Sequence, residues 1–110
     1  MRTKLKYGEV IIKEGVANLE RNIESVGGKL YLTAKCLIFE PHRMNIQSGI
    51  SVIDLSSVEC TRNCRTRFLG FLPTFHNSLA VCTKEGKEFR FVLHNREEWA
   101  KIINETMNLN

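Results

Sequence analysis

The sequence predicts a mainly β fold, an antiparallel sheet or small open barrel with one helix packed over an end. Three observations carry this. Residues 28–41, GKLYLTAKCLIFEP, alternate apolar and polar positions with the period of two that marks a strand. Residues 78–84 and 87–93, SLAVCTK and KEFRFVL, do the same across a Glu85-Gly86 turn. After residue 94 the period changes to that of an amphipathic helix.

Taken in order, residues 9–13, EVIIK, read as a short strand that Gly15 breaks. In residues 16–27, Val16, Leu19, Ile23 and Val26 recur near helical spacing. Asn18, Asn22, Ser25 and two glycines oppose a helix, so an irregular strand or strand-loop is expected. Gly27-Gly28 turns the chain into the central hairpin. There Leu30 and Leu32 share a face, as do Leu37 and Phe39. Cys36 and Ile38 make the second strand apolar on its other face too, so both of its sides are expected to be covered. Ala34-Lys35 forms the connection, and Pro41 ends the pairing because it has no N–H to donate.

Residues 42–49 carry turn signals. Residues 50–55, ISVIDL, form the next strand, Ser56-Ser57 turns, and residues 58–62 form another. Residues 63–67 look exposed. Residues 68–75, FLGFLPTF, are apolar but broken by Gly70 and Pro73, and Pro73 disfavours a central strand. At the last turn Gly86 permits the positive φ of a type I′ turn. Asn95 and Glu98 have the spacing of a capping box, and Glu97 and Glu98 suit the positive end of a helix dipole. Trp99, Ile102, Ile103 and Met107 then follow one stripe, which predicts about three helical turns.

A chain of 110 residues fits one domain spanning 1–110. With 43% hydrophobic and 25% charged residues it has the composition of a soluble globular protein. A net charge of +4 allows an anionic partner without demanding one. The first eight residues are basic but lack the apolar core of a secretory signal. No apolar run approaches the roughly 20 residues that span a bilayer. The expected location is the cytoplasm, at most peripheral to a membrane. Cys36, Cys60, Cys64 and Cys82 are then read as free thiols, with Cys36 and Cys82 inside apolar strand patterns.

The ordered set GKLYLTAKCLIFEP, ISVIDLSSVE, LGFLP, SLAVCTKEGKEFRFVL and NREEWAKII resembles the GRAM family and its bacterial pleckstrin-homology-like (PH-like) relatives. The likeness runs from about residue 9 to residue 107. It implies a split seven-stranded antiparallel barrel capped at one end by a C-terminal α-helix. It also implies a non-enzymatic module, without cofactor, that binds phosphoinositides, other anionic phospholipids or protein partners. Relatives that hold phosphoinositides usually place Lys and Arg between the first two strands. Here Lys13 and Arg21 are offset by Glu14, Glu20 and Glu24, and Lys29 stands free.

The densest basic segment lies elsewhere. Arg62, Arg65 and Arg67 fall within six residues that hold no acid, beside Phe68, Leu69, Phe71 and Leu72. Arginines beside aromatics suit a membrane surface or a protein hot spot. They equally suit an irregular strand that fills the barrel beneath solvated arginines. The candidate binding residues are therefore Arg62, Arg65, Arg67, Phe68 and Phe71, with Lys29 and Arg21. Docking on a partner protein or an anionic lipid surface leads, and self-assembly through this segment or an open sheet edge is the alternative.

Other chemistries are weaker. Cys60 and Cys64 would share a strand face but stand roughly 13 Å apart, too far for one metal ion. His42, His76 and His94 each stand alone, and Asp54 is the only aspartate, so no nucleophile, base and orienter gather. Asp54 is expected to make a turn contact near Ser56-Ser57. Nucleic acid is disfavoured because the aromatics occupy core-like positions and the charge is modest.

Overall fold

Alternation along the first half of the chain becomes a long hairpin. In the computed structural model, which describes residues 1, 3–5, 8–21, 24–43, 49–64 and 78–109, strands β1 (Ile11–Arg21) and β2 (Glu24–Thr33) pair antiparallel from Ile11↔Thr33 to Arg21↔Glu24. The irregular segment expected over residues 16–27 is thus regular strand where described. Ala17 and Leu19 point inward and are buried, while Asn18 between them is exposed. Leu19 faces Val26 across the pair. The near-helical spacing of apolar residues was incidental; cross-strand partners set the conformation.

The central hairpin forms as the pattern implies. β3 (Cys36–Pro41) pairs with β2 and is buried at every position. Leu30, Leu32, Leu37 and Phe39 enter the main core. Tyr31, Cys36 and Ile38 form a smaller cluster on the opposite face. There the amino-terminal segment lies over them, and Leu5, Ile11 and Ile50 pack against the cluster. Thr3 donates from its backbone N and its Oγ1 to Glu40 Oε2, both at 2.6 Å. Thr33 Oγ1 donates to Glu9 Oε2 at 2.5 Å. Burial, more than anything else, pushes the Cys36 thiol up; the Thr33 hydrogen bond opposes this and Glu9 adds to it.

β4 (Ser51–Asp54) pairs with β3. A 3-10 turn, Leu55–Ser57, then leads to β5 (Val58–Cys64). Ser57 Oγ donates to the Asp54 backbone carbonyl at 2.8 Å, so the expected contact at this turn uses the main chain of Asp54. Leu55 N donates to Lys35 O at 2.9 Å and Lys84 N to Ser57 O at 2.8 Å. The turn thereby bridges the two halves of the sheet.

β5 pairs with β6 (Ser78–Thr83), β6 with β7 (Glu88–Leu93), and β7 returns to β1. The order is β4-β3-β2-β1-β7-β6-β5. β4 and β5 stay unpaired with each other, so the sheet is strongly curved but not closed. Phe39 of β3 and Phe91 of β7 demonstrate the curl. Their strands are three steps apart, about 14 Å across a flat sheet, yet the ring centroids are 6.0 Å apart.

The β6–β7 turn differs from expectation. Gly86 has φ +89, but Asn95 is the only described non-glycine residue with positive φ. A type I′ turn needs two such residues. Thr83 N donates to Lys87 O at 2.8 Å and Gly86 N to Thr83 O at 3.0 Å, the pattern of a three-residue loop with a glycine bulge.

Helix α1 (Arg96–Asn108) packs on β5 and β6. The capping box is absent. Asn95 is left-handed (φ 57, ψ 57) and its side chain caps nothing. Arg96 ties the start of the helix instead, donating through Nη1 to Cys64 O at 2.8 Å and Ser78 O at 3.2 Å. Trp99, Ile103 and Thr106 are buried. Trp99 and Ile103 belong to the same core as Phe39 and Phe91, with Ala100, Ile102 and Met107 packed against it.

Candidate functional site

The expected site residues do not form one described cluster. Arg65, Arg67, Phe68 and Phe71 lie outside the described residues, as does the side chain of Arg21, whose backbone ends β1. Arg62 and Lys29 sit on β5 and β2, four strands apart in the sheet. Both already have anionic partners. Arg62 Nη2 is ion-paired to Glu88 Oε2, and Arg90 Nε contacts Glu88 Oε1 at 2.5 Å. Burial pushes the Glu88 carboxyl up, but the hydrogen bond and charge of Arg90, with Arg62 behind them, hold it below its ordinary value. Lys29 Nζ stands 3.3 Å from Glu14 Oε1 and 5.8 Å from the Tyr31 ring centroid. The expectation that Lys29 stands free is therefore corrected. Glu14 faces Tyr31 across the hairpin, so it lies diagonally across from Lys29, within reach of its flexible stem.

A different basic set stands exposed. β3 runs toward the end of the sheet that holds the β1–β2 connection, because Gly28 pairs with Pro41 and His42 N donates to Gly27 O at 3.0 Å. β7 starts at that same end, because Arg90 pairs with Glu20, near the tip of β1. His42 and Arg43 follow the end of β3, and Lys84 and Lys87 precede β7; the register sets Pro41 level with Leu93 rather than with the start of β7, and all four basic residues are exposed. Among the described residues, Arg43, Lys84 and Lys87 have no carboxylate within ion-pair distance. Beside Lys87, a recess of about 240 Å³ opens at the seam between β4 and the β6–β7 turn, lined by Val52, Ile53, Ser57, Thr83, Glu85 and Phe89. α1 occupies the opposite end of the sheet, where Arg96 holds the ends of β5 and β6. Sequence reasoning missed this set because Lys84-Glu85-Gly86-Lys87 and His42-Arg43 read as ordinary turns, and only the structure shows which cations lack a carboxylate partner.

A second recess, about 360 Å³, lies toward the helix end along Val16, Asn18, Val92, His94 and Asn95. Among the described residues no three His, Cys, Asp or Glu side chains gather as metal ligands. No described helix is long and apolar enough to cross a membrane.

This architecture can be set beside known proteins. The sequence matches the family model described as "GRAM domain" over residues 1–109. The chain belongs to the GRAM domain family. Solved structures similar to this GRAM domain share its fold at low identity. One is the C-terminal domain of an unknown protein from Leishmania infantum (TM-score 0.75, 13% identity, covering 92% of this chain and 86% of that one). Another is the Vps36 N-terminal PH domain (TM-score 0.70, 14% identity, covering 96% and 83%). A third is the PDZ-RhoGEF DH/PH pair in complex with GTP-gamma-S-activated RhoA (TM-score 0.65, 13% identity). The GRAM domain matches 29% of that longer chain and is itself covered to 89%. No curated protein sequence matches at a significant level. GRAM and PH-like domains are generally non-catalytic modules that bind lipids or proteins.

Proposed function

We propose that this GRAM domain is a non-catalytic docking module whose exposed, unpaired cations meet the anionic headgroup layer of a membrane. One observation carries the reading: Arg43, Lys84 and Lys87 are exposed, without carboxylate partners among the described residues. The Arg62–Glu88 and Lys29–Glu14 pairs are already neutralised and have less to offer a phosphate. Each Lys or Arg held near an anionic leaflet contributes about 1 kcal/mol. Replacing all three by Ala is therefore expected to weaken partitioning roughly 100-fold.

The test is sedimentation with phosphatidylcholine vesicles, with and without phosphatidylglycerol or a phosphoinositide, at low and high salt. Binding should require the anionic lipid, weaken with salt and depend on the three cations. Equal binding to neutral vesicles, or none at low salt, removes the lipid reading.

A second reading, docking on a protein, is favoured by β1. Val10 and Val16 are each 65% exposed and Ile12 42%. β7 covers the flank of β1 only at residues 17–20, which leaves residues 11–16 without a strand there among the described residues. An extended partner strand fits such an edge. The similarity to a PH domain solved in complex with RhoA accords with this reading. Capture by the parent chain that is lost in Val16→Asp, with vesicle binding unchanged, would separate the two.

A further inference from the structure

Of the described cysteines only Cys60 and Cys82 face each other. They are direct register partners across β5 and β6. Directly opposed residues of an antiparallel pair have Cα atoms about 4.5–5.5 Å apart, inside the roughly 4.4–6.8 Å that a disulfide spans. The inward positions on these strands are Val58, Leu79 and Val81, which belong to the core. Cys60 is exposed and Cys82 half-buried, and all four thiols are free. Cys64 faces Ser78, and Cys36 is buried on β3. The two thiols also sense one another: partial desolvation first, then the hydrogen bond and charge of Cys82, push Cys60 up. Arg62 lies near Cys82 and Glu59 flanks Cys60.

We propose that Cys60 and Cys82 form a cross-strand dithiol site that low-molecular-weight disulfides oxidise to an intramolecular disulfide. The Cys60 thiolate attacks one sulfur of the small disulfide. A mixed disulfide forms and the first small thiolate leaves. The Cys82 sulfur then attacks the Cys60 sulfur, closing the protein disulfide and expelling the second small thiolate. The two cysteine protons end on the two released thiols, so the cysteines lose two electrons and the small disulfide gains them. The product fastens β5, held by a strand on one side only among the described residues, to its neighbour.

The test treats the native chain with glutathione disulfide, followed by alkylation and peptide mapping. Free thiols should fall from the four of the untreated chain to two. The mass should fall by two hydrogens, and one peptide should link Cys60 to Cys82. Cys64→Ser should still close the link. Cys60→Ser and Cys82→Ser should not, and each should at most retain one glutathione. Phenylarsine oxide, which bridges paired thiols, should stay bound to the parent through dialysis and be lost from Cys60→Ser. A parent that keeps glutathione on Cys60 without closing, forms links between chains, joins Cys60 to Cys64 or leaves all four thiols unreacted overturns the proposal.

Discussion

The Lys13 ammonium and the Glu98 carboxylate, 85 positions apart in the chain, meet at 2.8 Å. The same ammonium lies 5.1 Å from the centroid of the Trp99 ring. One side chain on β1 therefore engages both an acidic residue of the first helical turn and the indole beneath it. The hydrogen bond and charge of Lys13 hold Glu98 below its ordinary value of 4.5. A depressed folded-state value means that this stabilisation is fully present above pH 4.5 and is lost as pH falls through the lower, folded-state midpoint. Carboxyl NMR titration should place the Glu98 midpoint below 4.5, and Lys13→Met should move it back up. An unmoved midpoint would show that the contact does not persist in solution.

Trp99 is 3% exposed and belongs to the main core. A Cβ on Gly15 would come within 3.5 Å of its ring, which places the indole over the middle of β1. Trp99→Ala is expected to cost about 3–5 kcal/mol in urea melts, as other large core truncations do. A near-neutral result would mean that the helix is not seated on the sheet.

Two glycines have different reasons for their place. A Cβ on Gly28 would stand 2.3 Å from the Glu40 carbonyl oxygen and 2.7 Å from the Phe39 ring. β2 and β3 cannot both keep their positions, so Gly28→Ala should cost about 1–3 kcal/mol or more. Gly86 has open space around it but a φ of +89, so Gly86→Ala should cost about 1–2 kcal/mol through backbone strain alone. Thermal melts of the two variants should rank them in that order.

Arg62 supplies the contrast. It is 51% exposed at the side chain and paired with Glu88. An exposed ion pair of this kind contributes about 0–1 kcal/mol. Arg62→Ala should therefore shift a urea midpoint little and leave vesicle binding near that of the parent. A loss of binding as large as that from replacing Arg43, Lys84 and Lys87 would move the lipid-facing surface to β5.

Much of the architecture was legible because strand period and turn chemistry are local. Leu30, Leu32, Leu37 and Phe39 alternate as a two-faced hairpin must, and Trp99 and Ile103 fall on one helical stripe. What failed depended on distant partners. Val16, Leu19 and Val26 look ambiguous alone, and pairing settles them: Leu19 faces Val26 on β2 and Phe91 on β7. Asn95 has the identity of a cap, but the chain enters the helix there in a left-handed conformation and Glu98 is drawn to Lys13. The candidate site was less legible still. Lys29 looks free in the sequence because Glu14 is fifteen positions away, and nothing local distinguishes Lys84, Lys87 and Arg43 from ordinary turn residues.

The pairing of Leu19 with Phe91 also constrains how the molecule comes into being. A ribosome must deliver the chain through Leu93 before β7 can reach β1. Until then Ala17 and Leu19 have no neighbour on that flank, and the indole that covers Gly15 has not yet been made. The meander from β1 to β4 is available early, but its concave side stays wet until the last strand and helix arrive. Such non-local closure places spontaneous refolding on the millisecond-to-second scale of β-rich domains. A nascent chain stalled before β7 would present that greasy hollow to whatever chaperone waits at the exit tunnel.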